Sequence, residues 1–178
     1  VRIVGGIYRG RVFHPGKNFK ARPTTDLAKE SLFNILANRY NFNELEVLDL
    51  FSGTGSISYE FASRGCGKVT LVESDYIHIK FIKETIGRLQ TSSILPIRSD
   101  VFTFLKKNRI QYSLIFADPP FDLPDIKSIP GLIFDSHSLK PDGVLIIEHS
   151  KNISFHGHPC FYELRKYGSV SFSFFQEE

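Results

Sequence analysis

The chain lacks methionine and tryptophan altogether, and it has only two cysteines among 178 residues. The missing methionine suggests an initiator that has been removed, or a sequence that begins after it. Cys66 and Cys160 stand far apart without close partners, which excludes zinc-ligand spacing and a disulfide scaffold. They are expected as core or half-buried thiols in a reducing compartment. No apolar stretch approaches the roughly 20 residues of a membrane span, and no signal peptide opens the chain. A soluble, cytoplasmic protein is expected, with no membrane partner. Acids are absent locally: residues 1–22 contain Arg2, Arg9, Arg11, Lys17, Lys20 and Arg22 but no Asp or Glu. The overall charge of +3 says little. The basic block suits a polyanion such as nucleic acid, the alternative being a plain solvated tail.

Two nucleotide signatures are also missing. The dinucleotide fingerprint needs glycine three places after Gly55, where Ser58 stands. No Gly-Lys-Ser/Thr follows the glycines, so there is no P-loop. A pyrophosphate is not the favoured ligand.

What is present is an alternation of apolar runs and helical patterns. Strands are expected at 46–51, 68–73, 93–98, 112–117 and 143–148, with helices between them. Pro96 marks the third as an edge strand. One or two short helices, broken around Pro130-Gly131, are expected over 126–139. The stretches 160–166 and 169–175, joined at Tyr167-Gly168, read as a terminal antiparallel hairpin. At the other end, residues 2–14 read as two short strands joined through Gly5-Gly6, and Thr24 or Thr25 caps a helix running to about Asn38. The sum is an α/β fold, a doubly wound and mostly parallel sheet in one continuous domain.

The chemistry collects at strand ends, where open α/β sheets bind ligands. Asp49 lies just before the turn Ser52-Gly53-Thr54-Gly55, Glu73 ends the second strand, and Asp100 follows the third. Glycines let a backbone approach a ligand closely, and a carboxylate beside them repels phosphate but suits a cation. Glu73 can accept from a ribose diol and Asp100 from an adenine amine. Together they describe an adenosine with a positively charged far end, which is S-adenosylmethionine. The fourth strand delivers Asp118-Pro119-Pro120-Phe121. Its prolines stop strand pairing and hold the carbonyls of Asp118 and Pro119, and the Phe121 ring, with little freedom. Such a motif can hold a flat group bearing an amine; alone, it is equally an ordinary turn.

The sequence resembles the class I S-adenosylmethionine-dependent methyltransferases. Within them it is similar to the RsmD family of small-subunit (16S) ribosomal RNA guanine-N2 methyltransferases. The resemblance rests on residues 2–11, on Arg22-Pro-Thr-Thr-Asp26 with Glu30-Ser-Leu-Phe-Asn34, on Leu48 to Gly55, on Asp118-Pro-Pro-Phe121 and on Lys166-Tyr-Gly168. These span essentially the whole chain in order. One departure is Ser56-Ile-Ser58, where the family usually has Ala-Leu-Gly.

The resemblance implies a seven-stranded Rossmann-like sheet, with residues 1–40 as an RNA-contacting extension and 41–178 as the catalytic core. It implies Asp118, Pro119, Pro120 and Phe121 as catalytic residues. It implies cofactor contacts from Asp49, Phe51, Gly53, Gly55, Glu73, Asp100, Val101, Thr24 and Thr25. It implies Arg2, Arg9, Arg11 and Arg22 as RNA contacts, no metal, and a monomer acting on ribosomal RNA within a small-subunit particle. Two rivals share these features: an enzyme acting on adenine N6, and a non-catalytic RNA-binding assembly factor. The first lacks room for a DNA-recognition domain between Phe121 and Gly143. The second predicts lost cofactor residues, yet the acids and glycines stand.

Overall fold

A computed structural model of the chain describes residues 1–16, 19 and 24–177. The elements, in order, are α1 (Asp26–Arg39), β1 (Glu46–Leu50), α2 (Ser56–Ser63), β2 (Lys68–Glu73), α3 (Tyr76–Leu89), β3 (Ile94–Arg98), α4 (Val101–Lys107), β4 (Tyr112–Ala117), α5 (Ile129–Asp135), β5 (Leu139–Ser150), β6 (Phe161–Tyr167) and β7 (Val170–Phe175). The seven strands form one sheet in the order β3-β2-β1-β4-β5-β7-β6. β1 to β5 pair in parallel, and β7 joins β5 antiparallel with β6 outside it. This is the doubly wound arrangement of the class I methyltransferase type, and Pro96 lies in an edge strand as expected.

Strand side chains alternate between faces, and the core divides accordingly. Val47, Leu71, Phe116 and Ile146 pack with α1, α2 and α3 on one face. Leu48, Leu50, Val72, Ile115 and Ile147 pack with α4 and α5 on the other. Both faces of the central strands are therefore dry, which explains their unbroken apolar runs.

Three expectations are refined. Thr25, not Thr24, caps α1, its hydroxyl accepting from the Ala28 N–H. The helical stretch after Phe121 breaks before Pro130. A 3₁₀ turn, Ile126–Ser128, gives way to α5, which takes Pro130 into its first turn, where the missing N–H costs nothing. Residues 2–14 do not form two regular strands. The bridge between Arg2 and Val12 is isolated, and the loop turns away to dock on α2. The Ile7 N–H bonds the Ser63 carbonyl at 2.7 Å, and the Val4 N–H bonds a Glu60 carboxylate oxygen at 2.6 Å. At Gly6, with φ +73°, a Cβ would stand 1.9 Å from the Ser63 carbonyl oxygen. A glycine pair allows a tight reversal or a close backbone approach, and Gly6 makes the close approach to α2. Cys66 is buried and Cys160 half-buried, both as free thiols.

Candidate active site

A single register rule builds the site. Leu50 pairs with Val72 and with Ala117, and Ala117 pairs with Ile147. The next residues along β2, β4 and β5 are Glu73, Asp118 and Glu148, so these acids share one row. Asp49 lies one layer lower, paired with Leu71 and Phe116. All four fall on the face that carries α1, α2 and α3, by strand alternation from Val47, Leu71, Phe116 and Ile146. They line a cavity of about 500 Å³ at the carboxyl edge of the sheet.

The backbone above β1 is shaped for close approach. Phe51, Gly53 and Gly55 have φ of +57°, +53° and +77°. For Phe51 this left-handed conformation costs on the order of 1 kcal/mol, and its ring sits edge-on to Phe102. Gly55 does not line the cavity. A Cβ there would meet the Tyr59 hydroxyl at 2.7 Å, so its role is to admit a core side chain. The other proposed cofactor residues do line it: Asp49, Phe51, Gly53, Glu73, Asp100, Val101, Thr24 and Thr25. So do Asp118, Pro119, Pro120 and Phe121, the last 44% exposed at the rim.

Each acid is held differently. Asp49 is 1% exposed and accepts from the Ser58 hydroxyl at 2.6 Å. Burial pushes its carboxyl up to about 7 against the Ser58 and Ser52 bonds, with the charge of Glu73 adding to the rise. Ser58, the family departure, is thus an anchor for Asp49 rather than a mere small residue. Glu73 accepts from the Gly53 N–H at 2.8 Å and the Asp75 N–H at 2.9 Å. A carboxylate has about four lone-pair sites, so two remain for a diol. Asp100 caps α4, accepting from the Thr103 N–H at 2.9 Å, and lines the cavity. The Asp118 carboxyl is raised well above its usual range by loss of water, then by the charges of Glu148 and Asp49. The Pro120 carbonyl closes the turn by accepting from the Leu123 N–H.

Sequence reasoning missed Glu148. It is 3% exposed, lines the cavity and accepts from the Thr24 hydroxyl at 2.8 Å. The signal was available, since an acid ends the fifth strand just as acids end the others. His78, stacked on Phe19 at 4.0 Å, also lines the cavity. So do Ser169 and Val170, brought there by the turn at Tyr167-Gly168.

Of the proposed RNA-contacting arginines, Arg2, Arg9 and Arg11 do not line the cavity. Arg2 pairs with Asp26 at 3.6 Å, and Arg11 donates to the Arg88 carbonyl at 2.7 Å. Arg9 is exposed on the docked loop. Arg22 lies outside the described residues. Among the described residues no group of His, Cys, Asp and Glu is placed to hold a metal ion.

The donor set fits an adenosine bearing a cation: a diol acceptor at Glu73, an amine acceptor at Asp100, and acids elsewhere. It does not fit phosphate, because no lysine or arginine stands among the described residues lining the cavity.

Comparison with known proteins agrees. A family model described as Conserved hypothetical protein 95 matches residues 1–176. The chain is 33% identical over 156 residues to Ribosomal RNA small subunit methyltransferase D of Haemophilus influenzae, covering 85% of this chain and 80% of that protein. Identity to the Escherichia coli protein of the same name is 27% over 181 residues, covering 100% of this chain and 90% of that one. A hypothetical protein of Thermus thermophilus superposes with a TM-score of 0.87 at 27% identity, with 99% of each chain covered. The chain belongs to the family described as Conserved hypothetical protein 95, the RsmD family that its motifs resemble.

Proposed function

We propose that the chain transfers a methyl group from S-adenosylmethionine to the exocyclic N2 of a guanine in small-subunit (16S) ribosomal RNA. Residues 1–40 serve as an RNA-contacting extension and residues 41–178 as the catalytic core. The observation that carries this reading is the acid row at adjacent strand ends, with the rigid Asp118-Pro119-Pro120-Phe121 within it. The names of the relatives support a small-subunit ribosomal RNA substrate.

S-adenosylmethionine supplies, when bound, a methyl group on a positively charged sulfur. The chain supplies placement. Glu73 accepts from the ribose hydroxyls and Asp100 from the adenine amine, while Asp49 favours the cationic end. Thr24, Thr25, Phe51, Gly53 and Val101 wall the cavity around them. Guanine N2 is a poor nucleophile because its lone pair is delocalised into the ring. An Asp118 carboxyl oxygen and the Pro119 carbonyl accept its two N–H bonds and turn the lone pair toward the methyl carbon, with Phe121 stacked on the flipped base. Positioning of this kind supplies much of the acceleration without a metal. Arg2, Arg9, Arg11 and Arg22 contact phosphates and set register rather than sequence. The enzyme acts as a monomer on a small-subunit particle.

The deciding experiment incubates the protein and S-adenosylmethionine with small-subunit particles and with naked RNA, then maps the modified nucleoside by mass. N2-methylguanine is expected, with the particle the better substrate. Label on adenine, or in DNA in preference to RNA, would overturn the substrate.

A further inference from the structure

We propose that Arg88 of α3 and Arg11 of the N-terminal loop form a two-pronged phosphate site that carries the RNA backbone from the extension onto the catalytic core. The inference rests on the RNA-substrate reading above and adds Arg88, a core residue which that reading leaves unused.

The site is built on one buried ring. Phe13 is 1% exposed and packs into the core on the face that carries α1, α2 and α3. The Arg88 guanidinium lies over this ring at 4.7 Å from its centroid, and the Arg11 guanidinium at 5.6 Å. Arg11 also leans on Tyr8 at 5.9 Å. Aromatic faces attract such cations and fix the planes of their guanidinium groups. Arg11 is held further, because it donates to the Arg88 carbonyl at 2.7 Å. That carbonyl is among the last four of α3, which have no partner within the helix and lie at the negative end of its dipole. Both side chains are thus placed before a ligand arrives, and both remain exposed. Less ordering is left to lose on binding.

The charges are uncompensated. Both distances run to one centroid, so the two cations stand within a Debye length of each other, about 10 Å. Like charges at that range repel. Among the described residues Arg9, Arg11 and Arg88 make no ion pair, whereas Arg2 is taken up by Asp26. Glu84, the one acid of α3, stands a turn before Arg88 and is not paired with it. A guanidinium has five N–H donors. Arg11 spends one on the carbonyl, and the rest face outward for an acceptor. A phosphodiester offers charged oxygens and no proton, which suits a planar donor that is always charged.

Position selects a strand of RNA over a lone anion. Arg88 lies ten residues beyond His78 on α3, about 15 Å along the helix axis, and His78 lines the cavity. Lys80 and Lys83 are exposed between them, and Arg9 is exposed on the adjoining loop. A strand with its target base in the cavity can lay its backbone along α3 and reach the arginine pair. Contacts of this kind fix register without reading sequence.

Filter binding of naked small-subunit ribosomal RNA at several salt concentrations tests this. Arg88→Gln removes the charge. It should weaken binding by about threefold or more near physiological salt, and lower the slope of log affinity against log salt by about 1. Arg11→Gln should do the same, and the double variant should lower the slope by about 2. Arg88→Lys keeps the charge and should restore the slope. Lys107→Gln removes one charge from α4, on the other face of the sheet, and should leave the slope alone. In turnover, Arg88→Gln should raise KM for the RNA while kcat and KM for S-adenosylmethionine hold. An unchanged slope in Arg88→Gln would overturn the proposal. So would an equal fall in Lys107→Gln, which would mean a response to net charge alone. A loss accompanied by a lowered thermal midpoint and not restored by Arg88→Lys would reduce Arg88 to a prop for Phe13. Inorganic phosphate at the same phosphate concentration should not displace the RNA; displacement would mean an isolated anion site. Methyl label on adenine instead of guanine would sink the substrate reading alone, since the salt slopes do not depend on transfer.

Discussion

Asp49 combines three properties that pull against one another. It is buried, it is proposed to face a cation, and burial raises its carboxyl from an ordinary value of 3.8 to about 7. A carboxyl raised by folding stabilises the protein at low pH. The stabilisation is complete below the unfolded value and is lost as pH climbs through the folded one. The span is on the order of 4 kcal/mol. Asp49→Asn should therefore raise the thermal midpoint at pH 8, and the advantage should shrink toward pH 5; midpoint scans at both values check it. A pH-independent difference would show that the burial cost is not the cause. The same substitution should weaken S-adenosylmethionine binding. In the wild type that affinity should rise between pH 5 and pH 8 as Asp49 ionises, which calorimetric titration can follow. Nearby, Asp118→Ala should abolish transfer while cofactor binding largely survives; an equal loss of both would place Asp118 in cofactor binding instead. At this scale the sequence was legible wherever a strand end was recognised. Asp49, Glu73, Asp100 and Asp118 were all found by that rule. Glu148 escapes it because the fifth strand announces itself by its apolar run, with no glycine turn or proline pair after the acid to mark it. The fastening of Asp49 by Ser58 could not be read, because it depends on where α2 lies over β1.

The N-terminal loop and α2 hold each other. Lys29 of α1 donates to the Arg2 carbonyl and faces Glu60, which also receives Arg64 and the Val4 N–H. Replacing Gly6 therefore strikes backbone at a crowded junction, whereas Gly10, also in the left-handed region at φ +84°, has open space around it. Gly10→Ala should cost about 1 kcal/mol of strain. Gly6→Ala should cost at least about 2 kcal/mol, since Ser63 must shift as well. It should also speed amide exchange over residues 1–13. Denaturant unfolding with exchange mass spectrometry separates the two; equal costs would mean that the docking contributes nothing. The sequence signalled this region by glycine spacing, and hairpin geometry was the natural reading. The true partner is 55 or more residues away along the chain, and local patterns carry no information at that range. The helix after Phe121 shows a smaller version of the problem. Proline inside a helical pattern reads as a breaker, yet Pro130 sits where a helix tolerates it.

Across the whole molecule, the parallel sheet, the helices on both faces and the terminal hairpin follow from the alternation of short strands and helices, whereas the strand order β3-β2-β1-β4-β5-β7-β6 does not. Nor does the placement of the basic residues. Among the described residues, the proposed RNA contacts Arg2, Arg9 and Arg11 do not line the cavity. Arg2 and Arg11 are partly engaged with the protein itself, while Arg9 is paired with no acid among the described residues. RNA that reaches both the cavity and Arg9 must run along the face covered by the N-terminal loop. Arg9→Ala should then weaken binding to all RNA sequences alike, and lower the slope of log affinity against log salt by about 1. Filter binding at several salt concentrations checks it, and an unchanged slope would remove Arg9 from the interface. The cavity itself has another consequence at this scale. Asp49, Glu73, Asp100, Asp118, Asp122 and Glu148 line it, with no lysine or arginine among the described residues around them. On the proposed roles, any adenosine could satisfy Glu73 and Asp100. One that drags a triphosphate behind it brings like charge beside Asp49, Asp118 and Glu148. The acid row is thus also a filter, keeping the abundant nucleoside triphosphates of a cell out of a pocket built for their common half.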